Sequence, residues 1–127
     1  MTTAEENEAL VRRFLAALGS GDVAGAAACF DADRYYSHAW EGDLAVTWEK
    51  MKAQRRTQSF VDWESETVAL VAGGDRVVHH SHSRFTDVRS GRRVDFHSLE
   101  IWRIESGLIV EHWGGMREAE RLREQLA

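Results

Sequence analysis

The strongest constraint on this chain is a change of period. Up to residue 58 the apolar side chains recur at every third or fourth position, and from Phe60 they alternate with polar ones almost to the end. A helix presents one face every 3.6 residues and a strand every second residue, so the first part reads as helix and the second as sheet. The strand candidates are Phe60 to Ala72, Arg76 to Val88, Arg92 to Glu105 and Leu108 to Trp113. Between them stand Gly73-Gly74-Asp75, Arg89-Ser90-Gly91 and Ser106-Gly107, which carry hairpin-turn chemistry. Helices first and an antiparallel meander afterwards define an α+β fold.

In the helical part, Ala9, Leu10, Phe14, Leu15, Ala17 and Leu18 mark one face of a helix from Thr3 to Leu18. Thr3 followed by Glu6 is a capping-box start, and Gly19-Ser20-Gly21 is a stop. Asp22 caps a short Ala-rich helix running to about Phe30. Residues 34–40, RYYSHAW, read as a short strand entering a loop at Gly42. A third helix is expected from about Asp43 to Gln58, with Leu44, Trp48, Met51 and Ala53 inward, and a charged fringe helix over Glu118 to Leu126. This order wraps a curved sheet around a helix. The result is a cone with an apolar mouth, where side chains from several strands converge.

At 127 residues, 43% of them hydrophobic, the chain supports one domain over 1–127. Its net charge is −5 and its basic residues are scattered as pairs, which excludes a nucleic-acid backbone binder. No apolar run approaches the roughly 18 residues of a membrane span, and MTTAEENEAL lacks a basic start and an apolar stretch. A cytoplasmic protein without membrane partners is expected. The single Cys29 has no internal disulfide partner and reads as an inert core thiol. Five Trp and six His are the unusual entries in the composition, and such rings line pockets as readily as they fill cores.

The segments ENEALVRRFLAALGSGDVAGAAACFDADRYYSHAW and GRRVDFHSLEIWRIESGLIVEHW resemble the SnoaL-like branch of the nuclear transport factor 2-like superfamily, which includes polyketide cyclases and ketosteroid isomerase. The resemblance implies a cone-shaped α+β fold, a homodimer formed through the sheet, and chemistry without a cofactor. By position, His38 matches the general-base aspartate of the isomerase. Glu100 matches its protonated aspartic acid, an acid that is a worked case of a raised carboxyl pKa. The isomerase's oxyanion tyrosine falls on Phe14, so that hydroxyl is missing here.

Strand parity gives a reading that does not use the family. With Trp102 inward, Glu100, Ser98 and Phe96 share its face, and a carboxyl in such company suits a general acid. His38, among Tyr35, Tyr36 and Trp40, carries the side chain suited to proton transfer near neutral pH. Parity does not decide which of Glu111 and His112 faces inward, and His112 is taken as the inward one. The run VVHHSHSRFT puts His79, Ser81, Ser83 and Phe85 on one face and His80, His82 and Arg84 on the other. His80 and His82 have metal-ligand spacing, but with no cysteine and no carboxylate in register no metal is expected. Phe14, Tyr35, Tyr36, Trp40, Trp63, Phe96, Trp102 and Trp113 are candidate walls for a small hydrophobic substrate, core packing being the bland alternative.

The expected function is acid-base chemistry on a small apolar molecule, polyketide-like by the resemblance. His38 would abstract or relay a proton, Glu100 would donate to the developing oxyanion, and His112 or His79 would orient them. A ligand-binding module of the same fold and a dimeric assembly domain with a filled cone are the competing readings.

Overall fold

In the computed structural model of the protein, which describes residues 2–55, 60–116 and 124–126, the chain passes from helix to sheet where the period changes. Helix α1 (Ala4–Ser20) opens on the capping box: Glu6 N–H donates to Thr3 Oγ1 at 3.1 Å and Thr3 N–H donates to the Glu6 carboxylate at 3.2 Å. These bonds use donors that a first helical turn leaves open. Gly21 closes the helix at φ 77°, a left-handed conformation that glycine adopts without strain. Leu10, Val11 and Phe14 form its buried stripe. Helix α2 (Val23–Ala27) is capped by Asp22 and ends before the expected Phe30. Helix α3 (Leu44–Arg55) starts where the Asp43 carboxylate accepts from Val46 N–H at 3.0 Å. The expected extension to Gln58 lies outside the described residues, as does most of the helix expected over 118–126, of which 124–126 are helical. Among the described residues no helix is long and apolar enough to cross a membrane.

The strands are β1 (Tyr36–Ser37), β2 (Phe60–Gly73), β3 (Arg76–Asp87), β4 (Arg93–Glu105) and β5 (Leu108–Met116). They form one curved sheet in the order β1-β5-β4-β3-β2, antiparallel except where β1 lies parallel to β5. The strand expected over 34–40 contracts to two residues because Ser37 N–H and Gly42 N–H exchange bonds with each other's carbonyls at 2.8 and 3.2 Å, turning the chain back at once. Along β3 burial alternates, with Val77, His79, Ser81, Ser83 and Phe85 inward. β2 does not show the expected alternation of burial, since it is the sheet edge with a neighbour on one side only.

Two apolar clusters fill the concave side. One joins Phe14, Phe30, Tyr35 and Trp102 in edge-to-face contact under α1, and the other joins Phe85, Val94 and Phe96 at the far end. Between them the concave face carries polar side chains and remains open. The open cone agrees with the expected apolar mouth and argues against the competing reading of an assembly domain with a filled cone.

Candidate active site

The site begins with a register. Ser37 of β1 pairs with His112 of β5, and His112 pairs with Trp102 of β4, so all three point to the concave side. Glu100 lies two residues before Trp102 on that face, opposite His79 on one side and Gly114 on the other. The His112 ring shares a hydrogen bond between Nε2 and Glu100 Oε2, and its Nδ1 shares a 2.8 Å hydrogen bond with Ser37 Oγ. Ser37 Oγ also accepts from Trp40 N–H at 3.1 Å. Ser37 and His112 are buried, and Glu100 is half-buried with its carboxyl in the cavity. Both ring nitrogens of His112 are hydrogen-bonded, so the orientation of the ring is fixed at both ends.

This pair stands where two lobes of the cavity meet. The inner lobe, about 210 Å³, is walled by Phe14, Phe30, Trp48, Met51 and Trp102 beneath α1 and α3. The outer lobe, about 360 Å³, is walled by Trp63, Phe96, Ser83 and Ser98 towards the mouth. Trp40, Glu100 and His112 line both lobes. A bulge in β2 between Val61 and Glu64, with Asp62 at φ 56°, re-aims Trp63 so that it stacks on Phe85 at 4.6 Å. Apolar walls around a few convergent polar groups are the usual make-up of a small-molecule site.

His79 lies in the inner lobe, buried, with Nε2 2.9 Å from Thr67 Oγ1 and its ring stacked on Trp102. Burial, and then the neighbouring His80, push its pKa below the ordinary histidine value, so it is held neutral. Burial also pushes the Tyr35 phenol up, against the neighbouring Thr47 and Ser37 side chains, which act the other way. The Ser81 and Ser98 hydroxyls meet across β3 and β4 at 3.1 Å, one in each lobe.

Three expected residues lie elsewhere. His38 does not meet Glu100. Pairing of Ser37 with His112 turns Ser37 inward, so Tyr36 and His38 on either side of it point outward. His38 Nε2 instead lies 2.6 Å from Glu111 Oε2, and its ring stacks on Trp113 at 5.0 Å, with Tyr36 packed edge-on against it. His38, Tyr36 and Trp113 thus belong to the outer face. There Arg34, Glu105, Arg103 and Glu111 form a chain of alternating charges that ends on the His38 ring. The His38 hydrogen bond, followed by that of Arg103, holds the Glu111 carboxyl below the usual range.

The inward choice of His112 over Glu111 agrees with the geometry. Sequence parity left it open because the register of β4 against β5 shifts between Arg103 and Ile104, so Ile109, Val110 and His112 are all buried. Also on the outer face, His80 bonds His97 at 2.8 Å and His82 bonds Asp95 at 2.8 Å and Glu66 at 3.3 Å. Carboxylates do therefore lie in register with that histidine pair, contrary to the sequence reading. Among the described residues no group of three or more His, Cys, Asp or Glu is arranged to hold a metal. Ser37 and the pairing of Gly114 with Glu100 were missed by sequence reasoning. Parity with His112 was the signal for the first, and the register opposite Glu100 for the second.

The SnoaL-like domain model matches residues 11–112, and the chain belongs to that family. Its structure is similar to that of AclR, a proposed hydroxylase from Streptomyces galilaeus, at 26% identity and TM-score 0.75, over 96% of this chain and 98% of that one. It is similar to a proposed polyketide cyclase from Acidithiobacillus ferrooxidans at 20% identity and TM-score 0.74, over 99% and 97%. It is also similar to TerC, co-crystallised with polyporic acid, at 15% identity and TM-score 0.73, over 94% and 98%. No curated protein sequence matches the chain.

Proposed function

We propose that the protein is an enzyme that moves protons on a small, largely apolar molecule bearing a carbonyl or an epoxide, using His112 and Glu100 and no cofactor. The observation that carries this reading is the hydrogen-bonded run from Ser37 through His112 to Glu100, set at the junction of two apolar lobes. With Oε2 tied to His112, Oε1 is the atom of Glu100 free to take a proton from substrate or return one. His112 balances the charge that the carboxyl gains or loses, and Ser37 keeps the ring in place. The Ser81 and Ser98 hydroxyls are neutral donors for an oxygen on which charge develops, and neutral His79 orients the inner end of the substrate. Isomerisation, aldol-type cyclisation, dehydration and epoxide hydration all use this set of groups. A polyketide-like substrate is favoured by membership of the SnoaL-like family and by the cyclase among its structural neighbours.

The test is a panel of hydrophobic ketones and epoxides followed by mass spectrometry. Glu100→Gln and His112→Ala, shown to be folded, are expected to lower turnover by about 10²- to 10⁴-fold, while His38→Ala keeps it. Full turnover in the first two variants would overturn the assignment. A ligand that binds tightly and is always recovered unchanged would favour a binding protein instead.

We also assign a homodimer formed through the outer face of the sheet. Val71, Val78, Ile101 and Trp113 stand in register across β2, β3, β4 and β5 and form an apolar row, with the charged row of Arg76, Arg103 and Glu111 on one side of it. Val71 is 62% exposed in the single chain. A monomer mass by light scattering at micromolar concentration would contradict this assembly. The buried free thiol of Cys29 suits a reducing compartment, and we assign the cytoplasm.

A further inference from the structure

We infer that Gly114 is a positioning residue: its missing side chain is the space in which the Glu100 carboxylate lies against His112. This rests on the role proposed for Glu100 and His112, and adds the element that holds their geometry.

Gly114 of β5 is the direct cross-strand partner of Glu100 of β4. A Cβ built on Gly114 would stand 1.9 Å from Glu100 Oε2, 2.7 Å from Glu100 Cδ and 3.0 Å from the Leu99 carbonyl oxygen. Oε2 is the oxygen bonded to His112, so a side chain at 114 and this carboxylate position exclude one another. Backbone conformation does not call for glycine here. The chain's positive-φ glycines are Gly21, Gly74, Gly91 and Gly107, and position 114 is not among them. Glycine within a strand also weakens it, so what the residue contributes is the gap.

The two atoms that would clash outright are the far end of the flexible Glu100 side chain, while the Leu99 carbonyl oxygen at 3.0 Å need give by only a few tenths of an ångström. A methyl at 114 can therefore be admitted by swinging the Glu100 carboxylate away, with the fold kept and the bond to His112 lost. The same space can be entered from the other strand. A carboxylate borne on the 114 Cβ would reach the position Oε2 now holds, provided Glu100 is truncated.

The experiment compares Gly114→Ala, Glu100→Ala and the double variant Glu100→Ala/Gly114→Asp, with Gly73→Ala as control because nothing lies within 4 Å of its Cβ. Two readouts are taken: turnover on the panel, and the NMR signal of the hydrogen-bonded His112 ring N–H. Gly114→Ala is expected to lose the ring N–H signal and at least 100-fold in turnover. The double variant is expected to recover the signal and at least a tenth of wild-type turnover, and the control to match wild type. Retention of both signal and turnover in Gly114→Ala overturns the inference, as does a double variant no better than Glu100→Ala. Should Gly114→Ala not fold, Glu100→Ala/Gly114→Ala is expected to recover folding, because the two shortest contacts are with Glu100 and the Leu99 carbonyl need move only slightly; an unfolded pair overturns it too. If Glu100→Gln keeps full turnover, the proposed function falls, and the NMR signal still decides the role of Gly114.

Discussion

At the scale of single residues, the site depends on which of two neighbours turns inward. Ser37 and His38 are adjacent, and one step along a strand moves a side chain to the opposite face. Ser37 therefore meets His112 in the cavity while His38 meets Glu111 outside. Removing the Ser37 hydroxyl leaves His112 Nδ1 and the Trp40 N–H without their partner. Ser37→Ala is expected to cost about 1–3 kcal/mol in urea unfolding and to lower turnover as well. His79 supplies a pH dependence. Its folded-state pKa is depressed, so as pH falls the unfolded chain takes up the proton first. The stability this provides is complete above the ordinary histidine value of 6.5 and is lost as pH drops below it, down to the folded-state value. His79→Gln, which can still bond Thr67, should show a smaller fall in urea midpoint between pH 7 and pH 5 than wild type. Equal slopes would refute the assignment of that loss to His79.

At the scale of elements, local chemistry was legible wherever a few adjacent residues decide the outcome. The capping box at Thr3 and Glu6 reads directly from sequence and is present. Thr3→Ala is expected to lower stability by about 1 kcal/mol, roughly 4 °C in melting temperature, with turnover unchanged. The Ser106-Gly107 turn was legible for the same reason, both residues taking positive φ, at 51° and 78°. Elements fixed by distant partners were not. β1 is short because Ser37 is bonded to Gly42 and to a strand some 75 residues away, and no local pattern encodes either bond. The shift between β4 and β5 buries Ile109, Val110 and His112 together, which breaks the alternation from which parity is read. Glu100, His79 and Trp102 lie on stretches of β3 and β4 where the register runs without a shift, so their common face was readable. Glu100 and Gly114 are related only by cross-strand register.

At the scale of the whole molecule, one set of strands serves two surfaces. Alternation sends Glu100, Trp102 and His112 into the cavity and Leu99, Ile101 and Trp113 to the other side, so a dimer formed through the outer face leaves the cavity mouth free. The two roles can then be separated by a substitution on one face. Ile101 pairs with Val78 and with Trp113 at the centre of the apolar row and is half-buried in the single chain. An aspartate there has no cation directly opposite in register, and burying an unpaired charge in an interface costs about 3–5 kcal/mol. Ile101→Asp should weaken dimerisation by at least about 100-fold, a shift that light scattering over a concentration series reads directly, while the monomer keeps its circular dichroism and its turnover. A variant that stays dimeric would place the interface elsewhere. One that becomes monomeric and loses turnover would show that the cavity depends on the second copy, which the enclosure of Glu100 and His112 within one chain argues against.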